Sequence, residues 1–274
     1  MQIDPFFQVP LHTHSTSAGE VQLPLLFKEA DAAITLFRCD RNRVEKQLEG
    51  TGLQPALVLG RHALVSICLY NMVHTNIGSY CIALLAVPVH RQRGFRPISP
   101  WRELFEPADK RHMGFYMLSA MTSSPMCAVS GRELWGFPKH LGQVDFNLQG
   151  SALHCRAYNG PQTLMELSGT GFPLCRVKHL DFNLFSILQD YLIRTLLVTR
   201  GKFHARFPLG YRLRVGPVPH PFCDQLRALD LDGRHPLLLI SSSDYQARMQ
   251  EGVAVESLPA TEPLPHRQQT QLVV

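Results

Sequence analysis

A succession of short, strand-like runs through the middle of the chain constrains the fold more than any other feature of the sequence. Each run is rich in β-branched, apolar and aromatic residues and ends at glycine, proline or a polar cluster, which is typical of β-strands. In one run, apolar Val144, Phe146 and Leu148 alternate with polar residues. Consecutive alternating strands joined by short turns predict an antiparallel sheet or a closed barrel rather than βαβ units. The strand-like runs are 55–59, 63–70, 80–89, 114–118, 143–148, 152–158 and 163–167.

Helices are expected to be few and short, so the predicted fold is mainly β (α+β). Regular structure is predicted to start with the β-prone run 33–37, and Asp40 is placed to cap a helix that ends at Leu48. A second helix is predicted over 222–229, before a last buried strand at 236–240. The segment 182–215 stays open between helix and strand, because its apolar spacing fits both.

No repeat and no linker divides the body of the chain, which is long enough to bury a real core. We therefore predict a single domain over residues 27–254. Residues 1–26 contain three prolines and are predicted to form an N-terminal arm laid over that domain. Residues 255–274 contain three prolines and no aromatic residue, so we predict a disordered tail.

The charge balance is mild, with 27 Lys and Arg against 22 Asp and Glu, and only six of the 27 are lysine. The nearest approach to a basic stripe, Arg91, Arg93 and Arg96, is interpreted as a solvated loop, so no nucleic-acid partner is expected. The longest apolar runs are too short for a membrane span and the start of the chain has no signal-like pattern, so we expect a cytoplasmic protein. Seven scattered cysteines without C-x-x-C, and histidines without H-x-x-x-H, predict no metal site.

One segment, Gly131–Gly142 (GRELWGFPKHLG), carries a pattern of chemical interest. It places Lys139 behind Trp135, Phe137 and Pro138, with His140 next to it. A lysine becomes a nucleophile near neutral pH when burial or a neighbouring cation disfavours its ammonium form, and a neutral amine condenses with a ketone to give an iminium. The alternative is that Lys139 ends a surface turn and that the aromatic residues belong to the core.

The pattern Gly-Arg-Glu-Leu-x-x-Phe-Pro-Lys-x-Leu-Gly resembles the lysine motif of the acetoacetate decarboxylase superfamily. The resemblance extends to Leu36–Asp40, to Gly78-Ser79-Tyr80 with the strand after it, and to Gly233–Pro236, and it covers roughly residues 30 to 250. It implies a closed antiparallel β-barrel or cone with a few short helices. It also implies that the lysine matching the motif, Lys139, forms a Schiff base with the substrate.

Other residues of the motif are expected near the site. Trp135 and Phe137 would desolvate the lysine, Arg132 and Glu133 would fix the turn before it, and Tyr80 comes from the Gly-x-Tyr strand. Four basic residues are further candidates for contact with an anionic substrate, although a surface or strand-end position is the simpler interpretation of each: Arg38, Arg61, His62 and His74.

The chain departs from the superfamily pattern in its charged residues. His140 stands where the decarboxylases carry a second lysine, and Ile82 stands where their Gly-x-Tyr-x-Glu strand ends in glutamate. No acidic residue occurs between Glu49 and Glu103. The carboxylates that the resemblance would place beside the lysine are therefore missing from their expected positions.

We expect a cofactor-independent lyase that decarboxylates a β-keto acid, acetoacetate-like or larger, through Lys139. Two alternatives stay open at this point: an aldolase or dehydratase acting on pyruvate-like keto acids through the same lysine, and a non-catalytic barrel that binds a small ligand. The expected partner is a small-molecule keto acid, with no nucleic acid and no membrane. By resemblance we also expect a homo-oligomer built from dimers.

Overall fold

The computed structural model describes residues 4–93, 100–103, 106–177 and 180–258. Strands dominate these ranges and four short α-helices interrupt them. The strands are β1 His12–Thr16, β2 Gly19–Leu23, β3 Leu25–Asp40, β4 Leu53–Pro55, β5 Val58–Leu59, β6 His62–Thr75, β7 Tyr80–Arg91, β8 Gly114–Thr122, β9 Lys139–Leu141, β10 Gln143–Gln149, β11 Ala152–Asn159, β12 Gln162–Val177, β13 Phe182–Leu188, β14 Tyr191–Arg200, β15 Phe203–Val215 and β16 Leu238–Ser257. The helices are α1 Arg41–Gln47, α2 Pro100–Glu103, α3 Pro125–Trp135 and α4 Pro221–Ala228, and a 3₁₀ turn covers Pro5–Phe7.

Seven strands close into a barrel in the order β3, β16, β14, β13, β8, β7, β6 and back to β3. The 20-residue strand β16 pairs along different parts of its length with β3, β14 and β15. The predicted closed barrel is confirmed, with one difference. β13 runs parallel to β8, with Leu184 opposite Phe115, so the barrel is mixed rather than wholly antiparallel.

A second sheet, β10-β11-β12-β15, joins β16 through the pairing of Ala205 with Ile240 and packs outside the barrel. Alternate residues of β6 separate the two cores: Ile67 and Leu69 belong to the outer core between the sheets, whereas Cys68 and Tyr70 belong to the barrel interior. Because both faces of β6 are buried, its sequence is continuously apolar instead of alternating.

The segment 182–215, which the sequence left open, forms the three strands β13, β14 and β15. Its helix-like spacing arises because Phe185 and Leu192, on neighbouring strands, are both buried in the outer core. The helix predicted after Asp40 is confirmed, since the Asp40 carboxylate accepts hydrogen bonds from the backbone N–H groups of Asn42 and Arg43. The helix predicted over 222–229 is present as α4.

Regular structure begins earlier than predicted. β3 starts at Leu25, and within the expected arm β1 and β2 form a hairpin. The first three residues of the predicted tail, 255–257, belong instead to β16, which continues through Ser257 and pairs with β14 there. Residues 259–274 of that tail, and residues 94–99 of the predicted arginine loop, lie outside the described ranges. Within those ranges no helix is long and apolar enough to cross a membrane.

Gly136 is the backbone position on which the turn between α3 and β9 depends. Its φ of 68° is left-handed, and a Cβ there would lie 2.0 Å from the carbonyl oxygen of Ile187. Gly150 has a similar φ of 59°, but nothing lies within 4 Å of an added Cβ. Both alanine variants incur the left-handed strain, about 1–2 kcal/mol, and only Gly136→Ala adds a backbone collision.

We therefore expect Gly136→Ala to lower the free energy of unfolding by at least about 1 kcal/mol more than Gly150→Ala does. Urea denaturation followed by circular dichroism measures both. Equal losses for the two variants would show that the contact with Ile187 does not constrain the turn.

Candidate active site

Lys139 is the first residue of β9, a three-residue strand that lies parallel to the end of β8. Ala120 of β8 is opposite Lys139, and its backbone N–H donates to the carbonyl of Pro138. Because side chains alternate along a strand, Lys139 points into the barrel while His140 points out of it. The Lys139 side chain is buried, with the residue 7% exposed.

The turn between α3 and β9 brings Lys139 back alongside the helix that precedes it. Ser124 caps the start of α3 by accepting a hydrogen bond from the Cys127 N–H. At the other end, the N–H of Gly136 donates to Arg132 and that of Phe137 donates to Gly131, which is the paired pattern of a glycine-terminated helix. The reversal explains the spacing of the motif, since the chain must leave the helix at glycine to return the lysine.

The amine of Lys139 lies against one face of α3. Its Nζ atom is 3.2 Å from the Sγ atom and 3.4 Å from the carbonyl oxygen of Cys127, and 5.7 Å from the ring centre of Phe137. A Cβ at Gly131 would lie 2.5 to 2.8 Å from the outer atoms of the lysine side chain. The glycine therefore makes the space in which the amine sits.

The barrel interior holds a cavity, called here the barrel cavity, and Lys139 is the charged residue that lines it. The space open to the centre of a water molecule is about 90 Å³, which is room for several waters or a small organic molecule. None of the described residues that line it is Asp, Glu, Arg or His. Every barrel strand contributes a lining side chain, for example Ile34, Tyr70, Ile82, Met117, Leu184, Leu197 and Tyr245.

Besides the Lys139 amine, the described residues that line the barrel cavity offer as polar groups three phenol hydroxyls and a thiol. Burial raises the pKa of Tyr70, Tyr80 and Tyr245 well above the usual range of a phenol, so all three are neutral near pH 7. Burial likewise raises the pKa of Cys68 to about 11. Tyr80 is also hydrogen-bonded to the Cys127 thiol, which places a phenol, a thiol and the Lys139 amine in one contact chain.

Two of the residues predicted with Lys139 line the barrel cavity, namely Phe137 and Tyr80. Ile82, at the position of the missing glutamate, lines it as well. Trp135 lies behind Phe137, with ring centres 6.2 Å apart, and its indole N–H donates to the carbonyl of Gln250. Trp135 therefore packs the wall of the cavity instead of facing it.

Arg132 and Glu133, the other charged residues of the motif, do not line the barrel cavity. Arg132 is exposed and donates a hydrogen bond of 2.8 Å to the backbone carbonyl of Lys139, which holds the first residue of β9 in place. Glu133 is also exposed and accepts hydrogen bonds from the backbone N–H and the hydroxyl of Ser17, tying the β1–β2 hairpin to α3. These hydrogen bonds lower the pKa of Glu133 below its usual range.

His140, the neighbour of the lysine in sequence, is not among the residues that line the barrel cavity. Its ring packs against His220, with ring centres 5.3 Å apart, on the outer side of β9. Burial, and then the charges of His220 and Arg132, lower the pKa of His140. The four basic candidates also lie elsewhere: Arg38, Arg61 and His62 line a separate surface pocket, and His74 is exposed on β6.

Cys127 is the site residue that the sequence analysis missed. Its signal is present in the sequence, because Cys127 and Gly131 are four residues apart and therefore share the face of α3 that contacts the lysine. Within the described ranges no three His, Cys, Asp or Glu side chains are grouped to hold a metal ion.

The fold and site define a class of closed β-barrel proteins that direct one buried lysine amine into an enclosed cavity. The family model described as acetoacetate decarboxylase (ADC) matches residues 8–178 of the chain. The chain belongs to the acetoacetate decarboxylase family. Its strand-rich fold and the lysine motif are those that the sequence resemblance implies.

Solved structures of the same fold include two acetoacetate decarboxylases. The one from Legionella pneumophila subsp. pneumophila str. Philadelphia 1 is 18% identical, with a TM-score of 0.62 over 93% of this chain and 95% of that one. Another, from structural studies of acetoacetate decarboxylase, is 15% identical, with a TM-score of 0.62 over 85% of this chain and 90% of that one.

A third similar structure is the enduracididine biosynthesis enzyme MppR complexed with pyruvate, 10% identical, with a TM-score of 0.60 over 91% of this chain and 99% of that one. A comparison with curated proteins gave no match. At these identities, the structural similarity shows the fold.

The contact between Gly131 and Lys139 is testable through the reactivity of the amine. Gly131→Ala is expected to slow labelling of Lys139 by acetone and borohydride roughly tenfold or more, because the new methyl group occupies the place of the amine. Alanine favours a helix over glycine by about 1 kcal/mol, so the fold is expected to survive. Ser130→Ala, on the same helix, is the matched control, and peptide mass mapping measures the labelling. Unchanged labelling in Gly131→Ala would show that the glycine does not position the amine.

Proposed function

We propose that the protein is a Schiff-base-forming lyase that decarboxylates a β-keto acid through Lys139. The observation that carries the proposal is a buried amine in an apolar cavity whose described lining contains no carboxylate to pair with it. An enclosed amine that has no carboxylate beside it to form an ion pair is available to attack the carbonyl of a bound ketone. Membership of the acetoacetate decarboxylase family supports the same chemistry.

In the proposed reaction, the Nζ atom of Lys139 attacks the ketone carbon, and water leaves to give an iminium. The bond between the α-carbon and the carboxylate then breaks, and its electron pair moves through the α-carbon to the iminium nitrogen as carbon dioxide leaves. A proton added to the α-carbon of this enamine restores an iminium. Water hydrolyses the iminium, releases the ketone and frees the amine. The iminium is the electron sink, so these steps need no cofactor.

The apolar cavity favours decarboxylation over reactions that retain the substrate carboxylate. Transfer of an ionised carboxylate into apolar surroundings is costly without a partner. Decarboxylation disperses and then removes that charge, so the environment favours the transition state over the bound acid. A 2-keto acid keeps its carboxylate throughout an aldol reaction, and none of the described lining residues offers an arginine or histidine to hold it.

The size and polarity of the cavity support a short-chain substrate with an apolar tail. The space of about 90 Å³ open to water centres excludes a long acyl chain in this conformation. Side chains such as Ile34, Met72 and Met117 offer only apolar contacts to the part of the substrate remote from the amine. A β-keto acid with a small alkyl group fits these surroundings better than a polar one.

Cys127 and Tyr80 are the groups that we propose supply the proton to the enamine. The Sγ atom of Cys127 is 3.2 Å from Nζ, within reach of a carbon atom bonded to a substrate imine carbon. Tyr80 is hydrogen-bonded to the same thiol, and burial raises the pKa of its phenol, which is protonated at neutral pH in any case. We propose that this pair acts as the proton donor in place of the carboxylates that are missing from their expected positions.

The aldolase or dehydratase alternative keeps Lys139 and changes the reaction. The similar MppR structure holds pyruvate, which makes 2-keto acids the right comparison substrates. Carbon dioxide release supports the decarboxylase, whereas formation of a carbon–carbon bond supports the alternative. A barrel that binds a ligand without turnover would show neither product.

The lysine mechanism is tested by borohydride trapping with a panel of short-chain β-keto and 2-keto acids. We expect an irreversible adduct on Lys139 in the wild type, located by peptide mass mapping, together with carbon dioxide release from β-keto acids. Lys139→Ala should lower both signals to background. Lys202→Ala removes a lysine outside the barrel cavity and is the matched control. Equal trapping in Lys139→Ala and the wild type would exclude Lys139 as the nucleophile.

The proton-donor role separates from the nucleophile role in a cysteine series. Cys127→Ala is expected to lower the rate of decarboxylation roughly 10²-fold, while borohydride still traps the imine on Lys139. Cys127→Ser, which keeps an O–H donor, should restore part of the rate. Cys68→Ala removes the buried thiol that lines the barrel cavity and should leave the rate close to that of the wild type. A wild-type rate in Cys127→Ala would contradict the role.

A further inference from the structure

A second pocket lies where the end of β3, the turn into β6 and the segment after α4 meet. We call it the arginine pocket, because four arginines line it: Arg38, Arg43, Arg61 and Arg234. The space open to water centres is about 230 Å³, larger than that of the barrel cavity. The two share no lining residue, so the arginine pocket is separate from the proposed site of reaction.

The two carboxylates that line the arginine pocket are already engaged. The Asp40 carboxylate accepts hydrogen bonds from the backbone N–H groups of Asn42 and Arg43 at the start of α1. Asp230 is ion-paired with Arg234 four residues later. Four guanidiniums against two carboxylates leave an excess of two positive charges, before any protonation of His62.

Arg38 and Arg61 carry that excess. Neither guanidinium has a hydrogen bond or an ion pair with any residue in the described part of the chain, whereas Arg43 donates to the carbonyl of Ala228. The pairing of β3 with β6 sets Asp40 opposite His62, and the backbone N–H of Arg41 donates to the carbonyl of Arg61. The strand ends therefore bring two unpaired cations to one concave surface.

Like charges gathered around a concave site repel one another, and a bound anion relieves that repulsion. The planar guanidinium fork matches the oxygen atoms of a phosphate or a carboxylate group. We propose that the arginine pocket binds a multiply charged oxyanion, the phosphate or polycarboxylate group of a small molecule, through Arg38 and Arg61. This site is independent of the chemistry at Lys139.

The binding test uses the full chain and three probes in isothermal titration calorimetry: pyrophosphate, citrate and acetate. All titrations are made at matched ionic strength, because exposed charges also attract anions without a defined site. We expect saturable binding of pyrophosphate, of citrate or of both, and no saturable binding of acetate. The comparison of the first two identifies phosphate or polycarboxylate as the favoured group. Absence of saturable binding for both would overturn the proposal.

Variants locate the site. Arg38→Gln and Arg61→Gln remove side chains that are exposed and make no internal hydrogen bond, so both proteins should fold, which thermal unfolding checks. Each is expected to weaken binding at least tenfold. Arg194→Gln changes another exposed arginine, on β14, and should leave the affinity unchanged. Equal weakening in all three variants would indicate diffuse charge attraction and would overturn the proposal.

Lys139→Ala keeps the two hypotheses apart. It abolishes the proposed reaction and leaves the arginine pocket intact, so anion binding should be unchanged. Loss of anion binding in Lys139→Ala would place the anion in the barrel cavity and contradict a separate site. The cavity reaction, by contrast, should survive in Arg38→Gln and Arg61→Gln.

Discussion

Closure of the seven-stranded ring along β16 is the constraint on which the site depends. This strand pairs with β3 along one edge and with β14 along the other, so the barrel has no free edge at that point. Closure removes the interior from water, and an amine placed there loses its hydration without gaining a carboxylate. The unusual setting of Lys139 is therefore a consequence of the whole ring.

The family match ends at residue 178, whereas three of the strands that complete the barrel, β13, β14 and β16, follow that residue.

The sequence predicted the strands and the lysine better than their surroundings. The alternation in 143–148 was sufficient to identify β10, because its apolar residues face the outer core while the polar residues between them are exposed. The apolar runs 63–70 and 80–89 were sufficient to identify β6 and β7, because both faces of these strands are buried. The parallel pairing of β13 with β8 was not predictable, since strand direction depends on the path of the chain between them. The segment 182–215 was ambiguous for a related reason: spacing alone does not distinguish one helical face from two buried strands.

Within the site, the local sequence pattern was sufficient to predict residues that lie on one turn. It was not sufficient to predict contacts between residues on different elements. Phe137 and Lys139 were identified from adjacent positions in the motif. The side of β9 on which His140 lies could not be predicted, because the alternation along this strand became clear only once Lys139 was known to face inward. Cys127 was missed because it lies twelve residues before Lys139 and outside the motif. The chain reverses at Gly136, and only this reversal brings the thiol into contact with the amine.

Charge is divided between different positions along the same strands. β3 and β6 contribute Ile34 and Tyr70 to the apolar barrel cavity, and their ends contribute Arg38 and His62 to the arginine pocket. The basic candidates Arg38, Arg61, His62 and His74 thus do not line the barrel cavity, and Lys139 has no charged partner among the described lining residues. An arginine inside the barrel would hold a substrate carboxylate firmly and oppose its loss, while one outside leaves the interior electrostatics to the amine. This separation supports the proposed release of carbon dioxide in the interior, because none of the described lining residues of the barrel cavity would retain a carboxylate by ion pairing.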